Sequence, residues 1–271
     1  MLALSAIGMV LFAWPLLGLG DPGAAAGAAV AVGAAAALMA VEMGLRRLDS
    51  RALALLASLS AIDAGARAAL VTGIGGFSPI FLLILCGGYA FGPSFGFLLG
   101  ATSLLVSALA TGGLGPWLPY QMFAAGWVGL AAGVAGAVRR RRVRAGRSTW
   151  GDVAVLAATG VVTGYLFGAV MDLWQWTFYR SSPGLGFTPG MSPATALQHF
   201  AHFYLATSAV YDSFRAGGNA VLVLAIGLPV LVSLGRLRHR RHVEVVLPPA
   251  GVSLADGQAD VVLGDHRRGC G

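Results

Sequence analysis

Eight long apolar runs constrain this chain more than any other feature of its sequence. A helix that crosses a bilayer needs ~20 apolar residues, and only the run at 78–92 is clearly short of that length. Because backbone groups in lipid must be paired and the runs lack a two-residue alternation, they predict helices. The runs cover residues 1–19, 23–45, 52–71, 78–92, 95–111, 118–138, 152–173 and 218–236.

The composition agrees with a membrane location. Hydrophobic residues make up 57% of the chain, charged residues make up 11%, and the mean hydropathy is +0.77. This leaves too little polar surface to cover a soluble globule. The first run has no preceding basic residue and no clear cleavage site, so we interpret it as a retained span. The sequence predicts an all-α integral membrane protein.

The arginines predict how the chain is oriented. All 18 basic residues are arginine, and 13 of them follow the second, sixth and eighth apolar runs. Positive charge marks the cytoplasmic side of short loops. Eight spans with a cytoplasmic N-terminus place all three arginine groups on that side, together with the C-terminus. The net charge of +7 is then a sign of topology and of contact with anionic membrane lipid, and no nucleic-acid partner is expected.

This topology places three loops on the outer face, at 72–79, 112–121 and 174–217. They are rich in glycine, proline and aromatic residues. Ser192 and Pro193 are typical of a helix start, so we expect a helix at the outer surface that ends at Gly217 and Gly218. The last residues, 242–271, have no long apolar period and are predicted to be a disordered cytoplasmic tail.

Residues 91–133 carry a specific pattern. They contain a Gly-Pro turn before a glycine-rich span, then the corner "GGLGPWLPYQM", then the helix "AGWVGLAAG". This stretch resembles the substrate-binding S subunits of energy-coupling-factor (ECF) vitamin transporters. The resemblance extends over about 51–236. It implies a six-helix S-subunit bundle at 51–241, preceded by two extra transmembrane helices at 1–50.

The resemblance also implies a function. An S subunit of a prokaryotic plasma membrane holds a vitamin near the outer face and docks on a transmembrane coupling subunit, which two cytoplasmic ATPases energise. A P-loop needs a lysine and this chain has none, so the chain cannot itself be a P-loop ATPase. The resemblance implies a transporter subunit without enzyme activity or a cofactor of its own. The corner favours a cobalamin-like ligand, with riboflavin as the alternative. In this family an Ala-xxx-Ala motif contacts the coupling subunit, and Ala57 and Ala61 match it.

The corner itself has the chemistry of a binding pocket. Trp117 and Tyr120 offer flat faces for stacking, and Gln121 offers both a donor and an acceptor. The alternative is an aromatic belt, because Trp and Tyr are enriched at every membrane interface.

Charged groups inside a span are the second signal. Asp63 and Arg67 lie four residues apart, and each costs about 2.5–3.5 kcal/mol to insert. We expect Arg67 to contact a polar group of the substrate while Asp63 holds its guanidinium in place. The alternative is a structural pair without a ligand.

Three further candidates flank the long outer loop. Asp172 and Trp174 end the seventh run and Asn219 begins the eighth, so they could line a cavity, although Asn219 could equally be a helix cap. His199 and His202 lack a third ligand, and no metal site is expected. Asp212 and Arg215 are interpreted as a local surface pair.

Other classes of membrane protein fit less well. No Ser-His or Asp-Asp pair suits an intramembrane protease, and the apolar runs contain no DxxxD motif that would suit a polyprenyl-handling enzyme. An ion-coupled secondary transporter stays open, because Asp and Arg in a span also mark coupled carriers.

Overall fold

The computed structural model describes residues 48–69, 80–142, 148–180 and 182–239, together with positions 8, 12–17, 33, 41 and 46. Within these ranges the regular structure is helical. Apart from a short 3₁₀ turn at Trp14–Leu17, the helices are α1 (Ser50–Ala69), α2 (Ile80–Phe91), α3 (Pro93–Thr111), α4 (Leu118–Arg142), α5 (Trp150–Trp176), α6 (Pro193–Thr207) and α7 (Ala209–His239).

Several of these helices can cross a membrane. Among the described residues, five are long and apolar enough, namely α1, α3, α4, α5 and α7, and α2 is a shorter apolar helix. These helices confirm the prediction of a helical, multi-pass membrane protein. The two predicted N-terminal spans and the tail lie largely or wholly outside the described residues, and the count of spans stays a prediction.

A glycine seam holds α3 and α4 together. We define it as Gly96 and Gly100 of α3 and Gly129 of α4. A methyl group on Gly96 or Gly129 would collide with the backbone of the other glycine, and one on Gly100 would collide with the backbone at Ala125. Small residues let membrane helices approach backbone to backbone, where van der Waals packing and not hydrophobicity drives association.

The turn between α2 and α3 is the Gly-Pro step seen in the sequence. Gly92 has a φ of 104°, which only glycine adopts without strain, and Pro93 is the first residue of α3. A methyl group on Gly133 of α4 would meet the backbone of this turn. The turn is therefore sharp and is packed directly against α4.

The arginines gather at one end of the bundle, which we call the arginine end. Arg140 donates from Nη1 to the carbonyl of Tyr89 over 2.6 Å, and Arg139 pairs with Asp152 over 3.4 Å. Arg238 of α7 is an electrostatic neighbour of Arg140. The start of α1 lies at the same end, because α1 runs parallel to α3. The described members of all three arginine groups therefore share one end, as predicted.

One predicted boundary is wrong. The outer helix does not continue to Gly217 but stops at Thr207, and the residues after Ser208 already belong to α7. Glycine inside a helix costs only about 1 kcal/mol. The buried contacts of Asp212 and Ala216 on the first turns of α7 outweigh that cost, so the helix runs through both glycines.

Candidate functional site

A cleft of about 540 Å³ opens at the end of the bundle opposite the arginine end. It lies where the last turns of α5 and α6 meet the first turns of α7. Charged side chains and aromatic rings both line it, including Asp172, Asp212, Arg215, Phe178, Tyr179 and Tyr211. A concave site that combines apolar rings with a few polar groups is typical of small-molecule binding.

Asp212 is the centre of a hydrogen-bonded group in this cleft. Arg215 donates to its Oδ1 atom and the hydroxyl of Tyr204 donates to its Oδ2 atom over 2.8 Å. The carboxylate is buried, and Gly168 of α5 makes room for it because a methyl group there would overlap it. The guanidinium of Arg215 also lies 5.4 Å from the ring centre of Phe167. Both oxygens of Asp212 are therefore satisfied and its charge is balanced.

Tyr204 stays protonated as part of this group. Burial and the neighbouring carboxylate of Asp212 raise the pKa of Tyr204, since both disfavour a phenolate. Its hydroxyl can then act as a donor to Asp212 throughout the physiological pH range.

Asp172, unlike Asp212, has a carboxylate oxygen without a hydrogen-bond partner among the described residues. Its side chain lines the same cleft and the residue is only 7% exposed. Its Oδ2 atom makes no hydrogen bond within the part of the chain that the structure describes. Its charged neighbours are Asp212 and Arg215, and these two already pair with each other. A buried carboxylate oxygen without a partner is costly, and it leaves an acceptor available to a ligand.

Two predicted site residues meet beside the cleft as packed rings. The rings of Tyr120 and Trp174 lie 4.6 Å apart, and Trp174 contacts Phe178, which lines the cleft, at 5.2 Å. Tyr120 also packs edge-on against Phe12 at 4.7 Å. Both residues are buried. They support the cleft wall, and neither ring lines the cleft itself.

The remaining corner residues do not reach the cleft. Trp117 lies in the loop before α4, is 42% exposed and covers Gly115. Gln121 is half-buried on the first turn of α4. Their roles as ligand contacts stay predictions, and so does the alternative of an aromatic belt.

Asp63 and Arg67 lie in a polar seam between α1 and α3, away from the cleft. Arg67 donates from Nη1 to the Ser107 hydroxyl over 3.3 Å, and it makes no direct ion pair with Asp63 among the described residues. Ser107, and not Asp63, is therefore the hydrogen-bond partner of the guanidinium, while Asp63 lies close enough to interact with it electrostatically. Asp63 is fully buried, with Arg67 and Ser103 as its polar neighbours.

Asn219 joins two helices. Its Nδ2 atom donates to the carbonyl of Gly160 in α5 over 3.1 Å, and the residue is buried in the interior of α7. It is therefore not a helix cap, because α7 begins ten residues earlier. It does not line the cleft either.

The two histidines connect α6 to the loop before it. His199 hydrogen-bonds the carbonyl of Gly186 over 2.9 Å, and His202 hydrogen-bonds that of Gly184 over 3.3 Å. Among the described residues, no group of three His, Cys, Asp or Glu side chains could hold a metal ion.

Sequence reasoning missed the main cleft residues. Asp212 and Arg215 do form the predicted pair, but Asp212 is buried and not at the surface. Their position at the start of an apolar helix was the available signal, and the false boundary at Gly217 concealed it.

Comparison with known protein families, curated proteins and solved structures finds no match.

Proposed function

We propose that this chain is the substrate-binding membrane subunit of an ATP-driven vitamin transporter of the ECF type. It would bind its ligand in the cleft and dock on a coupling subunit that separate ATPases energise. Support comes from the "GGLGPWLPYQM" corner in the sequence and from two surfaces in the structure. These are the cleft at one end of the bundle and a small-residue face on α1.

The α1 face is the observation that carries the proposal. We define it as Ala57, Ala61 and Gly65, which lie one turn apart and are all exposed. A methyl group on Gly65 would touch nothing within 4 Å. In the glycine seam, small residues of this kind are covered by a neighbouring backbone. An uncovered face of the same type suits a partner helix at close distance, and the coupling subunit is that partner in this proposal.

The size of the cleft favours a compact ligand. Its volume of about 540 Å³ lies in the range of ~300–1,000 Å³ that holds drug-sized molecules. The sequence favoured a cobalamin-like ligand, and a corrinoid is several times heavier than riboflavin. The volume therefore disfavours the cobalamin-like ligand.

The experiment is an uptake assay in cells that express this chain with and without an ECF coupling subunit and its ATPases. We expect uptake of the ligand only with the full set, and loss of uptake when the ATPases carry inactive P-loops. Ala61→Trp should abolish uptake and co-purification with the coupling subunit, because the indole would hold the partner helix away from α1.

Val221→Trp is the matched control for this variant. Val221 is 65% exposed like the residues of the α1 face, but it lies on a different helix, α7. It should therefore leave uptake unchanged. Equal uptake by wild type and Ala61→Trp, with the coupling subunit still bound, would contradict the docking role. Ligand binding by the isolated Ala61→Trp variant should match that of the wild type.

An ion-coupled secondary transporter is the second candidate, and Asp63 favours it. This carboxylate is fully buried inside a candidate span, and neither oxygen makes a hydrogen bond among the described residues. Buried carboxylates of this kind serve as proton or ion sites in carriers. Uptake that needs no ATPase and stops when the ion gradient is collapsed would favour this candidate over the first.

A further inference from the structure

The cleft shows an imbalance of charge that restricts what it can bind. Asp212 and Arg215 pair with each other, and Tyr204 completes the hydrogen bonds of Asp212. Asp172 then contributes a negative charge that no described cation balances directly. Since a buried charge is stabilised by a partner, a ligand that supplies a positive charge would complement this group.

The walls of the cleft suit a cation as well. The rings of Phe178, Tyr179, Phe203 and Tyr211 line it together with Asp172. Aromatic faces attract cations through their quadrupole, and aromatic cages are a common means of binding organic ammonium groups. The same rings can stack on a flat ligand. The carboxylate and the rings are independent features, and both favour the same chemistry.

We infer that the ligand of this cleft is a compact aromatic cation, whose positively charged nitrogen lies against Asp172 and whose ring lies among Tyr179, Phe203 and Tyr211. This deepens the proposed function, because it rests on the cleft being the ligand site. It narrows the vitamin to one that carries a fixed or protonated ring-linked nitrogen. Neutral planar vitamins such as riboflavin would leave Asp172 without a counter-charge.

The arrangement of Asp212 explains why Asp172 and not Asp212 receives the ligand. Arg215 and Tyr204 occupy both oxygens of Asp212 from the side of α6 and α7. Asp172 approaches from α5, and its Oδ2 atom is left without such a donor. Asp212 is thus fixed by contacts within the protein, whereas Asp172 keeps an oxygen that can accept a hydrogen bond from a ligand.

The test is a binding titration with the purified full chain in phosphatidylglycerol nanodiscs, without any coupling subunit. Thiamine and phenyltrimethylammonium serve as aromatic cations, and riboflavin serves as the neutral planar control. We expect the cations to bind and riboflavin to bind at least about tenfold more weakly. In Asp172→Asn the affinity for the cations should fall about tenfold or more, as for loss of a charge-assisted contact.

Two further variants complete the design. Asp49→Asn makes the same chemical change at the start of α1, at the arginine end, and should bind the cations like the wild type. Tyr211→Leu removes one exposed ring from the cleft and should weaken cation binding severalfold. Asp172→Asn removes a buried unpaired charge and keeps the shape, so its unliganded thermal stability should be equal to or higher than that of the wild type.

The same titration in nanodiscs of phosphatidylethanolamine distinguishes a lipid ammonium group from a dissolved cation. If their headgroups compete with thiamine, the cleft holds a lipid ammonium group and not an aromatic cation, which would overturn the inference. If thiamine binds equally in both lipids, the cleft takes a dissolved ligand. Failure of both cations to bind, tighter binding of riboflavin, or unchanged affinity in Asp172→Asn would overturn the inference. Because no ATPase is present, these results are independent of whether uptake requires ATP.

Discussion

Polar residues in this bundle have two roles, since some line the cleft and others join helices, and the sequence does not distinguish between these roles. Asp172 and Asn219 both lie near the long outer loop in the sequence. The structure places Asp172 on the cleft and uses Asn219 to join α7 to α5. Polar residues within spans are equally suited to both tasks, because each provides the partner that a group in lipid needs.

Asn219→Ala tests this distinction. The change removes a buried hydrogen bond between helices, which is worth about 0.6–1.7 kcal/mol in membrane proteins. We expect a lower free energy of unfolding and a lower thermal midpoint, while the affinity for a ligand in the cleft stays the same. Gln198→Ala, which removes an amide from the exposed surface of α6, should change neither quantity. A loss of affinity without a loss of stability would instead make Asn219 a ligand contact.

The predicted site residues that lie at or beside the cleft share one property. Asp172, Tyr120 and Trp174 lie near the ends of long apolar runs, and antiparallel spans bring such ends together. Asp212 was placed at the surface because its burial depends on Gly168 of the facing helix. Contacts of this kind depend on the register between two helices, which a pattern in one helix does not specify.

Helices in this protein are specified by their apolar runs, and their contacts are specified by their small residues. The predicted spans at 95–111, 118–138 and 152–173 lie within α3, α4 and α5. The start of α7 was misplaced because glycine is a weak helix terminator when packing favours continuation. Glycine therefore has two different structural roles. In the glycine seam it allows two helices to touch, whereas Gly217 makes no such contact with the described residues and is only tolerated inside α7.

One substitution at two sites tests this difference. Gly129→Ala places a methyl group against the backbone of Gly96, so we expect a marked loss of stability or of folded protein. Gly217→Ala meets no atom within 4 Å and adds a better helix former, so stability should rise by up to about 1 kcal/mol. Thermal unfolding in detergent measures both. Equal effects at the two sites would contradict the close contact between α3 and α4.

At the scale of the whole molecule, charge divides the bundle into two unlike ends. The arginine end holds Arg139, Arg140 and Arg238 around Tyr89 and Asp152. The opposite end holds the cleft and the helix α6. The positive-inside rule then predicts that the arginine end is cytoplasmic and that the cleft faces outward.

Reporter fusions test this orientation. A reporter that works only in the cytoplasm should be active when it is fused after Arg241 and inactive when it is inserted within 182–190. A reporter that works only outside the cytoplasm should give the reverse result. An even number of crossings between the two sites, shown by the same answer from one reporter at both, would overturn the topology.

The total number of spans could not be predicted reliably from hydropathy alone, because a run as short as 78–92 fits either a span or a buried helix.

The glycine seam also determines which parts of the molecule can move. Two backbones in direct contact have no side chains between them whose rotamers could absorb a shift, so α3 and α4 behave as one rigid block. The cleft is built by α5, α6 and α7. Of these, α5 and α7 also approach closely, because Gly164 lies against the backbone of Ala216, whereas α6 is joined to α7 through a short break at Ser208. Under the proposed function, capture and release of a ligand are therefore expected as motions of α6, and the closely packed helices are the fixed frame against which they occur.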